Sequence, residues 1–193
     1  VNQCLDKKDQ HMTPKALVIT SNMGVEQDEL LKPLAFLRSK GIECIHAAPE
    51  QKPVQTVKHD KDPAQSYDPD ALLGKIDVND YDILIIPGGT VNAGTLRMNK
   101  DAQKLVQQFS DAKKSIAAIC HGPWLLINAN RIQNKHLTSY PSIQLDLENA
   151  GGKWVNADVH RCNTGGWVLI TARCPEDIPV FNSVILKELE AHN

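Results

Sequence analysis

The sequence predicts a single α/β domain with a mostly parallel central sheet and helices on both faces. Several apolar runs of strand length are continuous rather than alternating, which is typical of strands buried on both faces. Helical patterns separate these runs, as expected of β-α-β units. The chain has 193 residues, which suits one domain with a sizeable core. We therefore expect residues 14–193 to form one domain and residues 1–13 to form a disordered tail.

The first half of the chain opens with a predicted β-α-β unit, which favours parallel strands. Pro33 interrupts the helical pattern of this unit, so we expect a kink or a break into two short helices near it. Residues 60–70 carry charges and two prolines and are therefore predicted to be a surface loop. In order, the predicted elements are a strand at 15–21, a turn at 22–25, a helix at 26–40, a strand at 43–48 and one hairpin arm at 54–57.

The second half continues the alternation of apolar strands and amphipathic helices. Pro87-Gly88-Gly89 ends one central strand, and Gly151-Gly152 ends a helix that Ser142 could cap. The predicted elements are strands at 81–86 and 115–119, helices at 101–112 and 123–128, a short strand and turn at 136–141, a helix at 142–150, a hairpin between 154 and 170, and a helix at 177–190.

The composition excludes several classes of protein. Charge is balanced, with 21 Lys and Arg against 23 Asp and Glu, so no basic field for nucleic acid is present. No apolar run is long enough to span a membrane. The five cysteines are odd in number and have no C-x-x-C spacing, which argues against a disulfide framework and a zinc site. We expect a cytoplasmic protein without metal or cofactor.

The segment at 115–124 is the strongest candidate for a functional site. An apolar strand pattern ends at Cys120, and a short helical pattern begins at Pro123. A strand that turns into a helix at a nucleophilic side chain has the layout of a nucleophile elbow. The amides at the helix start favour thiolate, so the pKa of Cys120 is expected to fall below about 8.5. Gly122 would leave room for an approaching substrate.

The residue types alone leave alternatives open at each of these positions. A free cysteine is more often a small buried hydrophobic residue than a nucleophile. His121 is adjacent to Cys120, but neighbours on a sharp turn can point apart, so an edge histidine in solvent is as good an interpretation as proton transfer. Glu26 follows the first strand at the same predicted sheet edge, yet an acid in a first helical turn needs no functional explanation. Asp28 and Glu29 have the same simple explanation.

Four blocks of the sequence form a combined pattern. The blocks lie at 81–89, with Tyr-Asp and Pro-Gly-Gly; at 118–123, Ala-Ile-Cys-His-Gly-Pro; at 137–143, Leu-Thr-Ser-Tyr-Pro-Ser-Ile; and at 171–177, Thr-Ala-Arg-Cys-Pro-Glu-Asp. Together they resemble the PfpI family, within the superfamily that has a fold like class I glutamine amidotransferases. The similarity extends from about Lys15 to Leu189.

This resemblance implies a flavodoxin-like sandwich, a homodimer or higher homo-oligomer, and a set of site residues. Cys120 would be the nucleophile, His121 the histidine that follows it, and Glu26 a protonated acid that hydrogen-bonds the sulfur. The backbone amides of Gly89 and His121 would stabilise an oxyanion. The residues expected to bind substrate are Gly88, Pro123 and Tyr140.

One position departs from the family pattern. In many relatives, the loop after the paired glycines supplies an acid that orients the histidine. Residues 90–96 contain no Asp or Glu, and Gly94 stands where the acid is expected. Either a carboxylate from elsewhere takes its place, or the reaction does not need it.

These features lead to three hypotheses about function. The first is a stress-related enzyme in which Cys120 attacks reactive carbonyl compounds, as in a glyoxalase or deglycase, with a cysteine peptidase or amidase as its alternative. Aldehydes are more electrophilic than amides, so the missing acid favours carbonyl substrates. The second hypothesis is a redox sensor in which Cys120 is oxidised to a sulfinic acid. The third is an interaction protein with an idle cysteine.

Overall fold

A computed structural model describes residues 13–192 of the chain. The predicted tail at 1–13 lies almost wholly outside the described residues. Strands within residues 13–192 form one large sheet and two small ones. The strands are β1 (Lys15–Ile19), β2 (Met23–Glu26), β3 (Glu43–Ala48), β4 (Val54–Lys58), β5 (Asp62–Tyr67), β6 (Ala71–Leu72), β7 (Ile83–Ile86), β8 (Ser115–Ile119), β9 (His136–Leu137), β10 (Lys153–Trp154), β11 (Val159–Cys162) and β12 (Leu169–Ala172).

Helices cover both faces of the large sheet. Apolar residues of the first and last helices pack on one face, and those of the helices between them pack on the other. None of the helices in the described part of the chain is long and apolar enough to cross a membrane. The helices are α1 (Gln27–Ser39), α2 (Thr90–Leu96), α3 (Lys100–Asp111), α4 (Trp124–Asn128), α5 (Gln144–Asn149) and α6 (Ile178–Ala191).

The large sheet has the order β11-β12-β8-β7-β1-β3-β6. All of its neighbouring strands are parallel except the edge strand β11, which pairs antiparallel with β12. This arrangement confirms the prediction of an α/β sandwich with a mostly parallel sheet. The carboxyl ends of β1, β7, β8 and β12 meet at one edge, where open parallel sheets place their binding sites.

The strand sequences explain why both faces of the sheet are buried. In β1, Leu17 and Ile19 pack into one apolar layer, whereas Ala16 and Val18 pack into the other. Side chains alternate between faces along a strand, so a continuous apolar run contributes to two cores at once.

A small three-stranded sheet corrects two sequence expectations. Residues 23–25 of the predicted turn at 22–25 belong to β2, and part of the predicted loop at 60–70 is β5. β2 pairs parallel with β4, and β4 pairs antiparallel with β5, so the predicted hairpin is confirmed with a longer second arm. The sequence of β5 is polar and does not predict a strand, because β5 is stabilised by pairing with β4 rather than by burial of an apolar face.

Helix α1 continues through Pro33, so of the two predicted alternatives, a kink or a break into two short helices, the break is wrong. Proline removes one backbone hydrogen bond from a helix interior. Here Pro33 is buried beside Leu30, Leu34 and Leu37, and packing of this face against the sheet outweighs the lost bond. The predicted cap by Ser142 is also wrong, because α5 begins after a short 3₁₀ turn without a side-chain cap.

Candidate active site

Cys120 lies at the sharp turn between β8 and α4. Its φ angle is 63°, in the left-handed region that costs a non-glycine residue about 1–3 kcal/mol. The strand, the turn and the helix lie where the sequence predicts them. The residue is 7% exposed, and it forms part of the lining of a surface cavity.

Backbone contacts hold this turn in place. The amide of Cys120 donates to the carbonyl of Ala172, and its carbonyl accepts from the amide of Tyr140, each at 3.0 Å. A Cβ added to Gly122 would lie 2.5 Å from the carbonyl oxygen of Ile86. Glycine is therefore needed here so that the neighbouring strand can approach, and not, as the sequence suggested, to admit a substrate.

The ring of His121 points back towards Cys120. Its Nδ1 atom lies 3.2 Å from Sγ of Cys120. The ring of His121 stacks on that of Tyr140, with ring centroids 5.0 Å apart. It also forms a T-shaped pair with the ring of Trp124, with centroids 5.1 Å apart. Burial lowers the pKa of His121, and the charge of Asp60 opposes this shift. The imidazole is thus neutral at pH 7 and is held by two aromatic contacts.

The carboxyl group beside Cys120 belongs to Glu29, which corrects the assignment of Glu26. Glu29 is fully buried, and its Oε1 atom accepts the amide of Gly88 at 2.8 Å. The Cys120 side chain lies close enough to influence the pKa of Glu29, which it lowers. Within the described residues, Oε2 of Glu29 has no hydrogen-bond partner, so this buried atom is not engaged elsewhere and can interact with the sulfur.

Glu26 has a different set of contacts. Its carboxylate accepts the backbone amides of His59 at 2.9 Å and Asp60 at 3.0 Å, at the tip of the β4–β5 hairpin. Glu26 ends β2 just before α1, whereas Glu29 lies one helical turn further on, on the buried side of α1. This difference in direction explains why Glu29, and not Glu26, reaches the sulfur.

The protonation states of Glu29 and Cys120 are coupled. Burial raises the pKa of Glu29 well above its ordinary value, so this carboxyl group keeps its proton at neutral pH. Burial also raises the pKa of the Cys120 thiol, a charged Glu29 would raise it further, and the amides of Gly89 and His121 lower it. The predicted depression of the thiol pKa is therefore wrong in direction. With Glu29 protonated, its O–H can donate to the sulfur, and deprotonation of Cys120 needs a base.

Gly88 brings the strand end after β7 close to both of these side chains. A Cβ on Gly88 would lie 2.6 Å from Oε1 of Glu29 and 2.8 Å from Cβ of Cys120. The absence of a side chain therefore permits the hydrogen bond between the Gly88 amide and Glu29. The next amide, that of Gly89, lies against the sulfur of Cys120 together with the amide of His121.

A cavity of about 480 Å³ opens above Cys120. Tyr140 lines it, whereas Gly88 and Pro123 are buried beneath it, so the structure does not place these two where substrate could touch them. None of the described residues that line the cavity is a lysine or an arginine. Four residues with carboxyl side chains contribute to the lining, namely Glu26, Glu29, Asp60 and Glu176.

A carboxylate approaches His121 from the hairpin rather than from the segment after the glycines. That segment forms α2, whose first residue is Thr90. The Thr90 amide donates to Oδ1 of Asp60 at 2.6 Å, and the Thr90 hydroxyl donates to Oδ2. Oγ1 of Thr90 also lies 3.3 Å from Nε2 of His121.

The sequence interpretation missed Glu29, Asp60 and Thr90. Glu29 carries a signal that could have been used, since it lies four residues before Pro33 on the apolar stripe of α1. An acid on a buried stripe is rare unless it has a partner. Asp60 offers no comparable signal, because only the fold of the hairpin brings it to Thr90.

No group of three or more His, Cys, Asp or Glu side chains that could hold a metal ion is found in residues 13–192. The fold and the site define an α/β sandwich with a cysteine–histidine pair at the carboxyl edge of its parallel sheet. A family model described as the DJ-1/PfpI family matches residues 14–188. The chain belongs to this family, which confirms the resemblance noted in the sequence.

Curated relatives cover almost the whole chain. General stress protein 18 of Bacillus subtilis is 34% identical over 176 residues, which are 91% of this chain and 98% of that protein. Deglycase PH1704 of Pyrococcus horikoshii is 33% identical over 176 residues, which are 91% of this chain and 99% of that protein. Among solved structures, DJ-1beta of Drosophila melanogaster is 29% identical with a TM-score of 0.81 and covers 92% of this chain and 91% of that one.

Proposed function

We propose that this protein is a cysteine-dependent enzyme that consumes reactive dicarbonyl compounds such as methylglyoxal, or their adducts with amines. The observation that carries the proposal is the 3.2 Å approach of His121 Nδ1 to Cys120 Sγ at a cavity that admits a small molecule. The names of the relatives, a deglycase and a general stress protein, support a protective role of this type.

In the proposed reaction, His121 acts as the general base. Its neutral Nδ1 takes the thiol proton while the sulfur of Cys120 attacks the aldehyde carbon. The amides of Gly89 and His121 can then donate to the oxygen of the adduct. Glu29 keeps its proton and supports negative charge on the sulfur without adding a charge of its own.

The remaining steps need no external oxidant or reductant. Transfer of hydrogen from the attacked carbon to the neighbouring carbonyl carbon converts the hemithioacetal to a thioester, so one carbon is oxidised while the other is reduced. Water then hydrolyses the thioester and returns the thiol with a 2-hydroxy acid. This balance fits the expectation of a reaction without a cofactor.

Carbonyl substrates suit this site better than peptides do. An amide is a weaker electrophile than an aldehyde, and its amine must be protonated before it leaves. Within the described residues, no carboxylate hydrogen-bonds the ring of His121 directly, because the Thr90 hydroxyl lies between the ring and Asp60. We further propose action in the cytoplasm as a homo-oligomer, which fractionation and size-exclusion chromatography would test.

The proposal is tested by the turnover of methylglyoxal, which is monitored through the NMR signals of the substrate and of the hydroxy acid. The wild-type chain should form product, and Cys120→Ser should be slower by about 100-fold or more. Cys44→Ala is a matched control, because Cys44 is buried in β3, where burial raises its thiol pKa to about 11. Equal rates in all three proteins would overturn the proposal. Peptide cleavage without carbonyl turnover would favour the peptidase, and oxidation at Cys120 without any turnover would favour the redox sensor.

A further inference from the structure

We propose that Asp60 and Thr90 are positioning residues that hold His121 in the tautomer needed to accept the Cys120 proton. The inference rests on the proposed function of Cys120 and names the residues that orient its base. Three consecutive contacts join the hairpin tip to the sulfur: Asp60 to Thr90, Thr90 to His121, and His121 to Cys120.

The donor and acceptor capacities of these groups determine the direction of each hydrogen bond. A carboxylate can only accept, so the single hydroxyl hydrogen of Thr90 goes to Asp60. Oγ1 of Thr90 then has only lone pairs to offer to His121, and Nε2 of His121 must carry a hydrogen. In a neutral ring, this leaves Nδ1 unprotonated, and Nδ1 is the atom that faces the sulfur.

The hairpin tip is built to hold Asp60 in place. His59 and Asp60 both adopt positive φ angles, 53° and 63°, which is a conformation that residues with a side chain avoid. The carboxylate of Glu26 accepts both of their amides. Glu26 thus serves the site indirectly, by fixing the turn that presents Asp60.

A charge on the ring would be stabilised by this arrangement. When the thiol proton moves from Sγ to Nδ1, the imidazolium gains a positive charge, and its Nε2–H donates to a hydroxyl that is polarised by the Asp60 carboxylate. The groups that face the ring are Cys120 and Tyr140 in contact and Asp60 behind Thr90. Of these, Asp60 supplies the negative charge that favours the protonated ring.

A purely structural role is the competing explanation, because Asp60 also accepts the amide of Thr90 at the start of α2. Loss of such a contact would lower the free energy of unfolding without changing the chemistry of His121. The two explanations therefore differ in what happens to the histidine ring when the protein remains folded.

Nitrogen-15 NMR of the His121 ring in the full chain separates them, with Asp60→Asn, Thr90→Val and Thr90→Ser as variants. We expect the wild type to show the tautomer with hydrogen on Nε2, Thr90→Val to lose this preference, and Thr90→Ser to keep it. Asp60→Asn should lower the pKa of His121, because the opposing carboxylate is gone. Asp62→Asn removes an exposed carboxylate from the same hairpin and should change neither property.

Kinetics provide the second readout. With methylglyoxal, Asp60→Asn and Thr90→Val should reduce kcat by about 10-fold or more with KM nearly unchanged, and Thr90→Ser should restore it. If Asp60→Asn and Thr90→Val both keep the wild-type tautomer and the wild-type pKa of His121, the proposal is overturned, even if these variants are less stable. The NMR measurement needs no turnover, so this failure is distinct from failure of the proposed function, which Cys120→Ser reports.

Discussion

The Oε1 atom of Glu29 accepts the backbone amide of Gly88 at 2.8 Å, in a position with no exposure to solvent. This bond joins the first turn of α1 to the strand end after β7, directly beneath Cys120. A carboxyl group that is buried with one hydrogen-bond donor is far more stable with its proton than without it. Glu29 therefore connects the stability of the fold to the chemistry of the site.

The first prediction concerns the stability of Glu29→Gln as a function of pH. The folded-state pKa of Glu29 is raised, so the folded chain binds a proton that the unfolded chain releases above about pH 4.5. As pH rises from the unfolded-state pKa of Glu29 to its folded-state pKa, this carboxyl group should lower the free energy of unfolding of the wild type by about 1.4 kcal/mol per pH unit. Glutamine removes this dependence, so Glu29→Gln should gain stability relative to wild type as pH rises. Urea unfolding at several pH values measures the difference.

A control for this prediction lies in the same helical turn. Asp28 is partly exposed and pairs with Lys32 at 3.2 Å, so Asp28→Asn removes a carboxylate from α1 without touching the buried site. Its stability difference from wild type should not grow in the same way. A difference for Glu29→Gln that stays constant with pH would show that Glu29 is ionised in the folded chain.

The second prediction is the pH dependence of carbonyl turnover. The proposed reaction needs the neutral form of His121, whose pKa burial lowers from its usual value of about 6.5. The value of kcat/KM should therefore be constant near neutral pH and fall about 10-fold per unit below the pKa of His121, with the midpoint below about pH 6.5. Initial rates with methylglyoxal across this range measure it. A midpoint above about pH 8 would instead indicate titration of the thiol.

Most of the fold could be predicted from the sequence because its central strands are continuous apolar runs. Those of β1, β7 and β8 carry their signal locally, and parallel pairing follows from the helices between them. β5 could not be predicted in this way, since its polar residues become a strand only by pairing with β4. The sequence does not predict helix α2, because this short segment contains a glycine and no apolar stripe.

The site was predictable where the chemistry is local in sequence. Cys120 and His121 are neighbours on a turn that the sequence indicates. The sequence does not show that Glu29 rather than Glu26 lies beside the sulfur, because a resemblance in pattern does not state which of two acids one helical turn apart faces inward. Asp60 lies 61 residues from His121 in the chain, as their numbers show, so only tertiary structure joins them.

The third prediction is a preference for uncharged dicarbonyls over anionic ones. Glu176 lines the cavity, and a bond to its own backbone amide lowers the pKa of its carboxyl group, so it is ionised. Repulsion should reduce kcat/KM for 4,5-dioxopentanoate, a 2-oxoaldehyde with a remote carboxylate, relative to methylglyoxal by about 10-fold beyond their intrinsic difference in reactivity. The ratio of the two rates should shift towards 4,5-dioxopentanoate in Glu176→Gln and at high salt. A ratio that responds to neither change would exclude this electrostatic selection.

The fourth prediction compares two glycines that meet different surroundings. A Cβ at Gly122 would lie 2.5 Å from the carbonyl oxygen of Ile86, whereas a Cβ at Gly94 would meet nothing within 4 Å. Neither glycine has a positive φ angle, so alanine is acceptable to the backbone at both positions and only the contact differs. Gly122→Ala should lower the free energy of unfolding by about 1–3 kcal/mol.

The matched substitution, Gly94→Ala, should raise the free energy of unfolding rather than lower it. Gly94 lies within α2, where alanine is favoured over glycine by about 0.5–1 kcal/mol. Urea unfolding of both variants gives the comparison, and alkylation of Cys120 adds a readout at the site. Because the carbonyl of Ile86 belongs to the strand beside β8, Gly122→Ala must displace the turn that carries Cys120 and should slow alkylation, whereas Gly94→Ala should not. Equal stability of the two variants would mean that the turn can shift at no cost, and the left-handed conformation of Cys120 would then owe nothing to the close packing at Gly122.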